Sequence, residues 1–246
     1  MKNLLLPSLF SLALAFPLLA QTPAADVTAA AKKLAERGAY QWTSKTDMGS
    51  GGGGGQFRPG PTEGWRTKDG LTLLKVTRND TTTEIVVKGE KGAYKADGNW
   101  QAVDTTVQGG GGGGGGGQPN PGRAAAGALR RFKAPATEAE ELVAKATELK
   151  KDGDAIAGAL TPDSAKALAT FGGGRGGGGA PEVSDAKGTV KFWIKDGVLS
   201  KYEYKVQGKM SFNGNERAID RTTTVEIKDG GPAPDAIPDA AKKLVS

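Results

Sequence analysis

The chain contains no cysteine and no histidine in its 246 residues, and aromatic side chains make up only 6% of it. Without cysteine there is no disulfide, no thiol nucleophile and no thiolate metal site, so stability has to come from a packed core. Without histidine there is no imidazole base, no histidine-centred triad and no histidine metal ligand. Carboxylates remain for acid–base or metal chemistry. Asp152 and Asp154 flank Gly153, but a calcium loop needs several regularly spaced oxygen ligands closed by a bidentate glutamate, and nothing here completes one. That trio reads as a turn. A carboxylate pair that cuts glycosidic bonds has to converge from two places, and most acids here fall in turns, first turns of helices or outward strand positions. No nucleophile, base and orienting group can be named together. The sequence therefore offers no catalytic residue, no metal ligand and no cofactor.

Long apolar runs are also scarce. The chain opens Met1-Lys2-Asn3 and continues through an apolar stretch from Leu4 to Phe16, then Pro17-Leu18-Leu19-Ala20-Gln21. A basic start, a short apolar stretch and a small residue before a polar one are the layout of a secretory signal peptide, expected over residues 1–20 with cleavage after Ala20. Pro7 and Pro17 bracket a run shorter than the roughly 20 residues of a spanning helix. The mature protein is expected to be soluble and periplasmic or secreted. With no cysteine after the signal, no lipid anchor is expected. The formal net charge is +6, of which Lys2 supplies one, and such a balance favours contact with an anionic membrane surface.

Glycine, by contrast, is abundant, with 39 residues. Much of it lies in three tracts, at residues 51–55, 109–117 and 172–179. A phosphate loop needs a strand, glycines at fixed spacing, a Lys-Ser/Thr pair and an immediate helix start. Residues 109–117 are followed by Gln118-Pro119-Asn120-Pro121 instead. Arg175 is a single arginine without interleaved aromatics, so no nucleic-acid tail is read there. The tracts are expected to be spacer loops, because glycine has no side chain to bury and the largest entropy to lose.

Between the tracts the periodicity is informative. Asp26 to Arg37 predicts a helix capped by Asp26, with Val27, Ala30, Ala31 and Leu34 on one face. The period then changes to two. Strands are expected from Ala39 to Lys45, Gly64 to Thr67, Leu71 to Thr77, Thr82 to Lys88, Ala93 to Ala96 and Trp100 to Val103, with turns at Asp69-Gly70, Asn79-Asp80, Gly89 to Gly92 and Asp97-Gly98. A helical insertion is expected over 124–171. There Thr137 and Glu140 form a capping box, Ala139, Leu142, Val143, Ala146 and Leu149 share a face, and Thr161-Pro162 starts another helix. Strands return from Gly188 to Lys195, Val198 to Gln207 and Arg217 to Lys228, and Pro238 to Val245 is expected to be a short helix.

Three stretches carry a family likeness: Ala29-Ala30-Ala31-Lys32-Lys33-Leu34 leading to Tyr40-Gln41-Trp42, then Gly92-Ala93-Tyr94-Lys95-Ala96-Asp97-Gly98-Asn99-Trp100, and Gly188 to Leu199. In this order they resemble the exported lipoprotein-carrier superfamily of the LolA/LolB and LppX/LprG kind. The resemblance implies an α+β fold in which a curved antiparallel β-sheet, a half-open barrel, carries a helical insertion on its concave side. Residues 21–246 would form that single domain. It also implies a non-catalytic carrier or binding protein for a lipid or lipoprotein acyl chain held between sheet and helical lid; the glycine tracts, unusual for such carriers, are placed so that they could tether that lid. Strand alternation alone names the expected cavity residues: Tyr40, Trp42, Val190, Phe192, Ile194, Tyr202, Tyr204, Val225 and Ile227. The same faces also fit a filled core, and the alternative is then an exported scaffold or envelope-interaction protein with no ligand.

Overall fold

In the computed structural model, residues 22–49, 59–78, 81–104, 121–170, 182–212, 214–228 and 237–246 are described. The expected signal peptide, the three glycine tracts and the Asn79-Asp80 turn lie outside them. The first helix, α1 (Pro23–Glu36), starts earlier than Asp26: Thr22 Oγ1 accepts from the Ala25 amide at 3.3 Å and Pro23 takes the first turn. Proline suits that place because its missing N–H would have no partner there. Asp26 serves as a first-turn acid, and Val27, Ala30, Ala31 and Leu34 form the buried face as expected.

A meander follows: β1 (Tyr40–Asp47), β2 (Pro59–Arg66), β3 (Thr72–Arg78), β4 (Thr81–Lys88), β5 (Lys91–Ala96) and β6 (Asn99–Ala102). Its turns fall where small polar residues and glycine stand. At Asp97-Gly98 both φ angles are positive, 50° and 80°, the backbone shape that lets a two-residue loop follow the twist of its strands.

The next segment corrects the expectation of a helical insertion. It holds α2 (Pro121–Arg131), α3 (Pro135–Lys145), β7 (Ala146–Asp152), β8 (Ala155–Leu160) and α4 (Pro162–Ala169). The expected capping box at Thr137 and Glu140 does not form. The helix begins upstream at Pro135, and Ala134 caps it without a side-chain hydrogen bond. The helix also stops at Lys145 rather than running on through Leu149, because 146–152 pairs with 155–160 across the Asp152-Gly153-Asp154 turn. β8 in turn pairs with β9, and this pairing with burial of Ala155, Ile156 and Leu160 outweighs the helix preference of Ala146, Glu148 and Leu149, which is worth only tenths of a kcal/mol per residue. Thr161 does cap α4, accepting from the Ser164 amide at 3.2 Å.

β9 (Glu182–Lys195), β10 (Val198–Phe212), β11 (Asn215–Lys228) and α5 (Asp239–Val245) complete the chain. One curved, unclosed antiparallel sheet of 11 strands results, in the order β6, β5, β4, β3, β2, β1, β11, β10, β9, β8, β7. The β1–β11 ladder, from Gln41 opposite Lys228 to Asp47 opposite Thr222, joins the first meander to the last three strands. Residues of α1, α2, α3 and α4 share one core with the inner face, whereas α5 covers the other face of β3 to β5, where Leu71, Leu73, Val86 and Ala93 meet Ile237, Ala241 and Val245. The outer face of β9 to β11 instead carries exposed cross-strand pairs such as Lys201 with Glu226 and Lys205 with Asp220.

Candidate functional site

Where β1, β2, β3, β10 and β11 curve under the α2–α3 connection, a cavity of about 480 Å3 remains. Strand register orders its wall into levels. At the deepest, Trp42 lies opposite Gly64, and Gly64 opposite Leu74. A Cβ on Gly64 would stand 2.1 Å from Trp42 Cζ2, so only glycine leaves room for the indole. Next, Ser44 faces Thr62 and Val225, with Val76 and Tyr202 on the strands beyond. Above them Thr46 faces Thr223, whose other neighbour is Tyr204, and the two threonine hydroxyls are 3.3 Å apart in a hydrogen bond. Met48, Arg78 and Arg221 line the end of the cavity farthest along the strands from Trp42. The opposite wall comes from the helices: Phe132 stacks on Trp42, with ring centroids 6.3 Å apart and an interplanar angle of 20°, flanked by Arg131 and Lys133.

One carboxyl enters this wall. Glu138, in the first turn of α3, accepts from Tyr202 OH at 2.5 Å and from Tyr204 OH at 3.4 Å. Burial raises its carboxyl above the usual range, opposed by the tyrosine hydrogen bonds and by Lys133. Burial and the Glu138 charge push both tyrosine hydroxyls upward, so they remain donors at neutral pH. Burial lowers the guanidinium of Arg131, as does repulsion from Arg78 and Arg130. Burial lowers that of Arg221 too, while its Nη2 donates to the Leu168 carbonyl at the end of α4.

Of the residues expected from alternation, Trp42, Tyr202, Tyr204 and Val225 line this cavity. Tyr40 and Val190 are buried core, and Ile227 packs against the same core without lining the cavity. Phe192 and Ile194 instead border a second cavity of about 410 Å3 between α1, the β7–β8 turn and β9, beside Asp26, Lys33, Lys151 and Asp154. The reason is the helical cover. α1 and α4 pack on β9 and β10 and press Val27, Leu34, Ala165 and Ala169 against that part of the sheet, leaving the second cavity at its edge. The Tyr40 hydroxyl is buried with no hydrogen-bond partner among the described residues.

Leu74, Val76, Arg78, Phe132, Glu138 and Arg221 also line the cavity without being among the residues expected from alternation. A signal exists for some of them. Arg221, Thr223 and Val225 alternate in phase, as do Leu74, Val76 and Arg78. Glu138 and Phe132 come from helical sequence whose position over the sheet no local pattern encodes. Among the described residues no three carboxylates sit together as a metal site, and no helix is long and apolar enough to cross a membrane.

No protein-family model matches the chain, and no curated protein matches it. Among solved structures, the chain is similar to LprF from Mycobacterium bovis, with 12% identity and a TM-score of 0.43 over 89% of this chain and 97% of that one. It is also similar to Rv2717c from M. tuberculosis, with 10% identity and a TM-score of 0.19 over 81% of this chain and 98% of that one.

Proposed function

We propose that the protein is an exported, non-catalytic carrier or binding protein that holds a lipid or acyl chain between β1–β3 and the α2–α3 connection. Residues 1–20 serve as its signal peptide, residues 21–246 act as one unit, and the site of action is the bacterial periplasm or the cell exterior. The observation that carries this reading is the cavity itself. Its lining includes the apolar side chains of Trp42, Leu74, Phe132 and Val225, and its volume of about 480 Å3 lies within the roughly 300–1,000 Å3 of ligand sites that are mostly apolar with a few placed polar groups. Each methylene buried there contributes about 0.8 kcal/mol, so chain length alone builds affinity. Of the residues expected from alternation, Trp42, Tyr202, Tyr204 and Val225 are assigned to ligand contact, joined by Leu74, Val76 and Phe132. Entry is by displacement of α2 and its connection to α3 rather than of the whole insertion, since α3 runs directly into β7 and is held by the sheet.

The packing of α1 and α4 over β9 and β10, which buries Val190 and Phe192, favours the second reading, an envelope scaffold with no ligand. The two separate by organic extraction of the purified mature protein and mass spectrometry of the extract. Co-purified lipid, displaced by a fluorescent fatty acid, is expected. Repeated absence of lipid together with no binding of the fluorescent fatty acid supports the scaffold.

A further inference from the structure

Among the described residues Glu138 is the one carboxyl that lines the cavity of about 480 Å3. Its partners are two neutral donors, the hydroxyls of Tyr202 and Tyr204. The lysines nearest to it in sequence, Lys133 and Lys145, both pair with Glu141 instead. A carboxylate held by neutral donors and by no paired cation depends, as an ion, on the water that still reaches it. Glu138 is only partly buried, and the cavity it lines is a route for that water. An alkyl chain lying along Trp42, Leu74 and Phe132 displaces water and supplies neither a donor nor a cation in return. Filling the cavity therefore costs more while Glu138 is ionised than while it is protonated.

Resting on the carrier reading, we infer that loading of the cavity is coupled to uptake of a proton by Glu138, so that an alkyl chain is gripped in acid and released as the pH rises. The coupling is reciprocal: a bound chain favours the protonated carboxyl, and protonation favours the bound chain by the same factor. Burial already raises this carboxyl, opposed by the tyrosine bonds and Lys133, and a bound chain raises it further. Affinity is thus highest below the pKa of the free protein and falls as pH rises through the higher pKa of the complex. The other groups that face Glu138 do not titrate alongside it. Burial and the Glu138 charge push the hydroxyls of Tyr202 and Tyr204 upward. Against the upward push of burial, bonds to Lys133 and Lys145 hold the Glu141 carboxyl below its ordinary range. The guanidinium groups of Arg78, Arg131 and Arg221, which line the same cavity, stay charged.

The test is titration of a pyrene-labelled long-chain alcohol, which carries no titratable group, into the full mature protein and into Glu138→Gln. The pH runs from about 4.3, the ordinary glutamate value, to about 8. Each unit by which binding raises the carboxyl appears as about tenfold in affinity between the acid and alkaline limits, and a gain of about tenfold on acidification is expected of the wild type. Glu138→Gln, which still accepts from Tyr202, should bind at every pH about as tightly as the wild type does in acid. Calorimetry of the wild type in buffers of different ionisation enthalpy counts the protons taken up on binding and needs no variant. Net uptake near the middle of the transition is expected, and none overturns the inference. A wild-type affinity that is flat with pH, or that rises toward alkaline pH, overturns it and leaves the carrier reading standing. So does the same pH dependence in both proteins. Failure of the wild type to bind the probe at any pH overturns both readings.

Discussion

The two ends of the inner sheet face are covered differently and differ in what is left between cover and sheet. Over β9, the helices α1 and α4 press Val27, Leu34, Ala165 and Ala169 against the sheet and bury Val190 and Phe192, leaving a cavity of about 410 Å3 beside Phe192 and Ile194. Over β1 to β3 the α2–α3 connection crosses with Phe132 as its main apolar contribution, and a cavity remains. An apolar strand face does not by itself make a ligand site. What crosses above it decides whether the face becomes core or cavity.

The largest effect expected of a single substitution is on β9. Phe192 is fully buried, so Phe192→Ala should cost about 3–5 kcal/mol in chemical denaturation, while the properly folded fraction keeps its affinity for a fluorescent fatty acid. Loss of binding in that fraction would erase the distinction between the two ends. Under the α2–α3 connection, Gly64→Ala drives a methyl into the Trp42 indole and should cost about 1–3 kcal/mol. Because the indole has to leave the cavity floor, this variant is also expected to weaken fatty-acid binding, and a normal affinity would show that Trp42 does not form the floor.

Two smaller effects sharpen the comparison through buried polar groups. The carboxyl of Glu138 is raised in the folded state, so the folded protein holds that proton more tightly than the unfolded chain does. Its stabilising contribution is complete below about pH 4.3, the ordinary glutamate value, and is lost as pH rises through the raised folded value. Glu138→Gln, which still accepts from Tyr202, should therefore be more stable than the wild type at neutral pH and lose the advantage on acidification. Thermal melts at several pH values report this, and an unchanged pH profile would show that Glu138 is not desolvated. On β1, the buried Tyr40 hydroxyl has no hydrogen-bond partner among the described residues. Tyr40→Phe should thus stabilise by about 1 kcal/mol, and marked destabilisation would reveal a partner.

Much of the fold is legible in the sequence because strand and turn chemistry are local. The outer face of β9 to β11 is solvated, so Tyr202, Tyr204 and Val206 alternate cleanly with Lys201, Glu203 and Lys205. β3 and β4 are covered on both faces, which is why Leu73-Leu74 and Ile85 to Val87 are apolar at consecutive positions and still fit strands. The β7–β8 hairpin is hidden because Ala146 and Leu149 fall in helical phase with Leu142, and only pairing with the distant β9 overrides it. The site divides along the same line. Trp42, Tyr202, Tyr204 and Val225 follow from period two, and Arg221 stands in phase with them. Glu138 and Phe132 reach the cavity through a helix start and a connection whose placement is long-range. Val190 looks like a cavity residue in the sequence because nothing local says that α1 and α4 will cover β9, and nothing local says that Tyr40, beside Trp42, ends as buried core.

The most direct test of the carrier account is titration of a fluorescent fatty acid into the wild-type protein and into Val76→Trp, which places an indole in the cavity from a partly buried wall position. Saturable one-site binding by the wild type, abolished in a variant that still unfolds cooperatively, is the predicted result. Binding of equal strength in both proteins would contradict it.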